Sequence, residues 1–262
     1  MLRTSPNSLS MPFTPVADSA KRFQDKICLV TGATSGIGRA VAVRLGREGG
    51  RVAVLGRDAN EGKQTVRLIT QAGGEALFIR TDVGKDSQLV QAVERTLKEW
   101  GRIDVLISNA GMMTFDPIQK LAPKAWDELM QVNLRPLFRL TQLCLPHMKH
   151  GAIVAVSSVH AQQTTANVIP YAASKGATES FVRGLSQEIP HTHARINAVA
   201  PGAVDTPMLW SNPNIKSGKE KLTGQVGTPE ELAAAICFMA SPEASFINGT
   251  TLVADGGRLA AL

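Results

Sequence analysis

Tyr171 and Lys175 are the residues from which a reaction can most readily be built. Tyr171 is the only tyrosine in the chain and stands four residues before the lysine, directly after Pro170. Four residues is about one helical turn, so on a helix the phenol and the ammonium lie one above the other on one face. Such a pair is either an active site or an ordinary helix surface, and the spacing alone leaves both open. A free tyrosine titrates at about 10 and is no base near neutrality. A neighbouring ammonium stabilises phenolate and lowers that value. The phenol can then exchange a proton with an oxygen whose charge is changing.

A second stretch with chemical meaning is VTGATSGIGRA, residues 30–40. Gly32, Gly36 and Gly38 let the backbone turn tightly and approach a ligand without Cβ clashes. They sit where a strand gives way to a helix, and a helix start points free N–H groups and the positive dipole end at an anion. The spacing G-x-x-x-G-x-G departs from the G-x-G-x-x-G of many dinucleotide binders. In the first strand–turn–helix unit it nonetheless reads as a nucleotide site.

Both groups need a scaffold. From residue 26 on, short apolar β-rich runs alternate with longer helical stretches. The pattern predicts strands at 27–31, 51–55, 76–80, 105–108, 152–157, 195–200 and 251–254. Helices are expected near 36–48, 59–72, 86–100, 124–149, 171–189 and 229–240. Gly49, Gly73 and Gly101 fall where helix ends favour a left-handed residue. Strands that are apolar throughout indicate a parallel sheet covered on both faces. The expected fold is therefore α/β, a Rossmann-type doubly wound, seven-stranded parallel sheet with right-handed crossovers. Residues 25–262 read as one domain, and 1–24, rich in Ser, Thr and Pro, as a flexible extension without the apolar core of a secretory signal. The connection 201–227 is too long for a plain loop and reads as a lid over a ligand.

Composition narrows the class. The chain has 262 residues, 44% of them hydrophobic, and a net charge of +6. No apolar run approaches the roughly 18–20 residues needed to span a bilayer. The basic residues form no stripe, so nucleic acid is not an expected partner, whereas a mild positive field suits an anionic ligand such as a nucleotide. Cys28, Cys144 and Cys237 lie in apolar stretches with no metal-ligand spacing, nor does the cluster His191, Thr192 and His193 have one. No metal is expected, and an odd count of thiols points to a reducing, cytoplasmic setting.

With these motifs in order, the chain resembles the short-chain dehydrogenase/reductase family in its single-domain form, from Lys26 to the D-G-G at 255–257. The family's T-G-x-x-x-G-x-G is residues 31–38, and its N-A-G is Asn109, Ala110 and Gly111. The helical Asn corresponds to Asn133, the Ser to Ser158, and Y-x-x-x-K to residues 171–175. The resemblance implies hydride transfer between a nicotinamide and a carbonyl, interconverting a secondary alcohol and a ketone. Tyr171 would be the general acid and base, helped by Lys175 and the oxidised ring. Ser158 would hold the substrate oxygen, Lys175 the nicotinamide ribose, and Asn133 a water linking Lys175 to solvent. His160 and Gln162 would face the substrate.

The resemblance also implies the cofactor contacts. In the turn these are Gly32, Thr34, Ser35, Gly36, Ile37 and Gly38. Asp82 and Val83 would meet the adenine, and Asn109, Ala110 and Gly111 would line its path. Pro201, Gly202, Val204 and Thr206 would follow from P-G-x-V-x-T. At the end of the second strand stand Gly56 and then Arg57, where a carboxylate would repel a 2′-phosphate and a guanidinium would bind it. This favours NADP(H) over the alternative, NAD(H). Asp58 is close enough to reverse that reading if the register moved by one. A homotetramer is implied, with helices near 124–149 and 171–189 as interface and the GGRLAAL tail adding apolar contacts. The competing reading is a catalytically silent nucleotide sensor or scaffold of the same fold, disfavoured by the intact Ser158, Tyr171 and Lys175. A sugar-nucleotide epimerase or dehydratase fits less well, because few residues follow Lys175.

Overall fold

The computed structural model describes residues 21–190, 193–218, 222 and 224–261. Expectations for residues 1–20, for His191 and Thr192, and for Lys219 and Lys221 of the long connection lie outside these. The strands are β1 (Ile27–Thr31), β2 (Arg51–Gly56), β3 (Glu75–Arg80), β4 (Val105–Ser108), β5 (Gly151–Val156), β6 (Ala194–Pro201) and β7 (Thr251–Ala254). They form one parallel sheet in the order β3-β2-β1-β4-β5-β6-β7. The chain therefore winds outward from β1 to β3, returns to β4, and winds outward the other way. The reversal opens a crevice between β1 and β4 at the carboxyl edge of the sheet, which is where ligands bind in such folds.

Both sheet faces are covered, which is why the strands lack polar alternation. The helices α1 (Gly36–Arg47), α2 (Ala59–Gln71) and α9 (Pro229–Ala240) lie on one face. Val41, Leu45, Ile69 and Ile236 pack there on Cys28 and Val30. On the other face lie α3 (Asp86–Trp100), α4 (Pro123–Asn133), α5 (Arg135–Cys144) and α6 (Ile169–Glu188). Leu89, Leu137, Leu140 and Val182 pack there on Leu29 and Leu106. Successive residues of β1 thus serve opposite cores, as the two-residue period of a strand requires.

Local signals set the helix ends. Asp58 caps α2 by accepting from the N–H groups of Asn60 and Glu61 at 2.9 and 3.0 Å. Thr228 and Glu231 form a capping box at the start of α9. Gly49, Gly73 and Gly101 all have positive φ, as expected. The buried guanidinium of Arg195 donates to the carbonyls of Met239 and Ser241 at the end of α9. Among the described residues, no helix is long and apolar enough to cross a membrane.

One expectation needs correction. The single helix expected over 124–149 is α4 and α5 separated at Leu134, followed by a 3-10 turn at Leu145–His147. Pro136 supplies no N–H and crowds the carbonyl one turn back, so the helix breaks just before it. The connection 201–227, expected to be more than a plain loop, is partly helical. It contains α7 (Pro207–Ser211) and α8 (Pro213–Lys216), and its base is closed by parallel bridging between Val204 and Gly227.

Candidate active site

The glycine turn joins β1 to α1 and is held from beneath by Asn109. The Asn109 side-chain amide donates to the carbonyls of Thr31 and Gly32 at 3.0 and 3.3 Å. The Thr31 hydroxyl accepts from the N–H groups of Asn109 and Ala110 at 2.9 and 3.0 Å. The ends of β1 and β4 are thus tied across the crevice. Gly38 needs its missing side chain, since a Cβ there would lie 2.3 Å from the Gly32 carbonyl oxygen. Gly38 therefore supports the turn from behind and does not line the cavity. Ser35 makes no side-chain cap and the first turn of α1 holds no acidic residue. Its N–H groups face the cavity open to an anion, so the residues present fit a dinucleotide pyrophosphate.

At the β2 end, the expected register holds. Gly56 is the last strand residue and Arg57 the first beyond it, with an exposed side chain. Asp58 is committed to capping α2, so no free carboxylate stands at the strand tip. Gly56 is packed against the turn, and a Cβ on it would fall 2.4 Å from Thr34 Cγ2. Asp82 follows β3, where its carboxylate accepts from Gly84 N at 3.1 Å.

Ser158, Tyr171 and Lys175 converge from the end of β5 and from α6. Ser158 follows β5 and caps a 3-10 turn by accepting from His160 N at 3.2 Å. Tyr171 and Lys175, one helical turn apart on α6, are both buried. Tyr171 and Ser158 line the same cavity, and Lys175 Nζ lies 5.5 Å from the phenol ring centroid. Lys175 Nζ donates to the Val156 carbonyl at 2.7 Å. Burial lowers the Lys175 pKa to about 8. Burial also pushes the Tyr171 phenol above its ordinary value, with the Ser158 hydrogen bond acting in the opposite direction. The expected lowering of Tyr171 by Lys175 is thus not what the chain alone produces, because dehydration of a buried phenolate outweighs its partners.

Asn133 ends α4 and is buried behind the cavity wall. Its Oδ1 accepts from Met112 N at 2.8 Å, and its Nδ2 donates to Met112 O at 2.9 Å and Ser174 Oγ at 3.1 Å. It thereby fixes the segment after β4 against α6, close to Gly111 and Lys175. His160 stacks edge-on to Tyr171 at 5.8 Å and contacts Thr164 through Nδ1. Gln162 is exposed and outside the cavity.

A cavity of about 350 Å³ runs along the carboxyl edge of the sheet from the tips of β2 and β3 to the segment after β7. It joins the glycine turn, Arg57, Asp82, Val83, Asn109, Ala110 and Gly111 to Ser158, Tyr171 and Lys175. Pro201, Gly202, Val204 and Thr206 line it too, with Met208, Leu209 and Ile215 of the α7–α8 segment. Sequence reasoning passed over Thr81, Val132 and Arg258, which also line it. The D-G-G following β7 was the available signal for Arg258, because a strand end in this fold delivers the next residues to the same edge.

Comparison with known proteins places this geometry among relatives. The chain matches the short chain dehydrogenase family over residues 26–216. It is 37% identical over 248 residues to the short-chain reductase protein NovJ of Streptomyces niveus, covering 90% of this chain and 94% of that protein. A short chain dehydrogenase from Burkholderia cenocepacia in complex with NADP is 31% identical with a TM-score of 0.83, over 90% of this chain and 98% of that one. A 7α-hydroxysteroid dehydrogenase complexed with NADH and 7-oxo glycochenodeoxycholic acid is 29% identical with a TM-score of 0.85, over 92% of this chain and 97% of that one.

Proposed function

The chain belongs to the short-chain dehydrogenase/reductase family and is an NAD(P)-dependent oxidoreductase acting on CH–OH and C=O groups; from that premise we propose that it interconverts a secondary alcohol and a ketone with Tyr171 as general acid and base. The observation that supports this most is the burial of Ser158, Tyr171 and Lys175 side by side along a cavity that continues to the glycine turn.

Reduced nicotinamide, when bound, supplies the hydride that adds to the carbonyl carbon, and the oxidised form accepts it back from the alcohol. On reduction the substrate oxygen gains an electron pair and needs a proton. Tyr171 holds that proton at neutral pH, because burial raises its pKa, and donates it from its hydroxyl. The Ser158 hydroxyl, which lines the same cavity as Tyr171, orients the oxygen. Lys175, with a pKa of about 8, is mostly charged at neutrality and stabilises the phenolate that remains. In the oxidative direction the phenol must first lose its proton, so oxidation is favoured by higher pH. Asn133 holds Met112 and Ser174 in place beside Lys175 and is assigned to the path by which the phenol recovers its proton.

The glycine turn and the start of α1 are assigned to the pyrophosphate, Asp82 and Val83 to the adenine, and Arg57 to a 2′-phosphate. Arg57 at the strand tip and the commitment of Asp58 to its helix cap support NADP(H) over NAD(H). A homotetramer in the cytoplasm completes the reading. The exposed Phe138 on α5 and the fully exposed Phe246 support association, and the three buried free cysteines support a reducing setting. The deciding experiment follows absorbance of the reduced nicotinamide with each cofactor against a panel of ketones and alcohols. Tyr171→Phe should nearly abolish turnover while cofactor binding persists. Near wild-type rates in that variant would defeat the proton-donor assignment.

A further inference from the structure

The stripe of α6 that carries Tyr171 and Lys175 continues one turn further to Glu179. Glu179 is 7% exposed, and the mechanism above makes no use of it. An apolar side chain would occupy that place at lower cost, since a carboxylate removed from water must be hydrogen-bonded to be tolerated. The bond it has is to Ser157, itself 1% exposed, whose hydroxyl donates to Glu179 Oε1 at 2.9 Å. The same hydroxyl lies 3.4 Å from the Lys175 carbonyl.

Ser157 stands between the two residues of the β5 end that matter to the site. Val156, before it, offers the carbonyl to which Lys175 Nζ donates at 2.7 Å. Ser158, after it, lines the cavity. The β5 end and α6 are therefore tied in both directions, by Lys175 reaching from the helix and by Ser157 reaching towards it. On its other side the Ser157 N–H donates to the Val199 carbonyl of β6 at 2.7 Å. Ser158 is extended, with φ −167° and ψ 155°, and successive side chains of an extended chain point opposite ways. Holding the Ser157 side chain on α6 thus fixes the direction in which the Ser158 hydroxyl leaves the chain.

Resting on the oxidoreductase reading above, we propose that Glu179 is a positioning residue for that reaction: through Ser157 it locks the end of β5 to α6 and keeps Ser158 in register with Tyr171 and Lys175. The acceptor oxygen does this, and the carboxylate neither gives nor takes a proton in the reaction.

The test uses the full chain and whichever ketone or alcohol of the panel the wild-type protein turns over fastest. Glu179→Leu and Ser157→Ala each delete the bond. Each should lower kcat about ten- to a hundred-fold, the range for a catalytic group misplaced by about 1 Å, while the cofactor Kd, read by nicotinamide fluorescence, stays unchanged. Glu179→Gln keeps an oxygen that can accept from Ser157 and should recover most of the lost turnover with the wild-type pH profile. The double variant should be no slower than the poorer single one, because both remove the same contact. Wild-type kcat in the single variants overturns the proposal. A glutamine variant as slow as the leucine variant also overturns it, by assigning the effect to the charge or proton of the carboxylate. Parallel loss of turnover and cofactor binding would show general loosening of the site and overturn it as well. Should Glu179→Leu fail to fold, Ser157→Ala, which removes a single buried hydroxyl, carries the comparison with Glu179→Gln. A wild-type protein inactive on the whole panel would instead defeat the oxidoreductase reading, and this proposal with it.

Discussion

Replacing Lys175 by methionine separates the electrostatics of the site from its packing. The ammonium is held in a dehydrated position that brings its pKa from 10.5 to about 8. Two and a half units at about 1.4 kcal/mol each amount to about 3 kcal/mol working against the charged form in the folded protein. The sign follows from proton binding. Between about pH 8 and 10.5 the unfolded chain keeps its Lys175 proton while the folded chain has lost it, so wild-type stability rises with pH across that window. Below about pH 8 the whole penalty is present, and above about 10.5 it is gone. Methionine has no such dependence, and any difference in packing is the same at every pH. The stability of Lys175→Met relative to wild type should therefore decline by about 3 kcal/mol across the window. Urea unfolding of the cofactor-free proteins, at one fixed protein concentration and at several pH values, measures it. Turnover should fall about a hundred-fold or more in the variant. A stability difference that stays flat with pH would show a hydrated ammonium and refute the buried-charge reasoning on which the mechanism draws.

Other perturbations test the neighbouring assignments. Arg57→Ala should raise KM for NADPH about ten-fold or more relative to KM for NADH; an equal effect on both would remove the 2′-phosphate role. Gly38→Ala places a methyl 2.3 Å from the Gly32 carbonyl oxygen, so it should destabilise the fold by about 1–3 kcal/mol and weaken cofactor binding, read by unfolding and by nicotinamide fluorescence. Gly184→Ala is the contrast. It lies in α6 with no atom within 4 Å of the added Cβ and should stabilise by about 0.5–1 kcal/mol. Light scattering coupled to gel filtration should give four times the chain mass, and a monomer at micromolar concentration would refute the tetramer.

Much of the scaffold was legible because its signals are local and redundant. β1, β4 and β7 have the expected bounds, and Gly49, Gly73 and Gly101 end their helices as glycine's freedom dictates. The parallel, doubly wound sheet followed from apolar runs that demanded cover on both faces, whereas the order of its strands came only with the structure. The break at Leu134 was not legible although Pro136 was in view, because a proline within a helical run can kink the helix without ending it. α7 and α8 are only a turn or so each, too short for a periodic pattern to declare them. At the site, residue types and order showed that Ser158, Tyr171 and Lys175 belong together. What they could not show is dehydration. The rise in Tyr171 and the fall in Lys175 come from chain segments distant in sequence closing over them. Arg258 escaped for a related reason, since its meaning depends on where β7 ends in space.

The contact between Gly56 and Thr34 constrains how this lineage can change its diet of reducing equivalents. A carboxylate at the strand tip would suit the dephosphorylated dinucleotide, but any Cβ at position 56 strikes Thr34 Cγ2 at 2.4 Å. Gly56→Asp alone should therefore damage the turn before it confers a new preference. Thr34→Gly first clears the space, whereas Thr34→Ser leaves a hydroxyl oxygen 3.0 Å from the added Cβ. The order in which the two substitutions are made then decides whether the intermediate keeps an intact turn, and position 56 is free to change only after position 34.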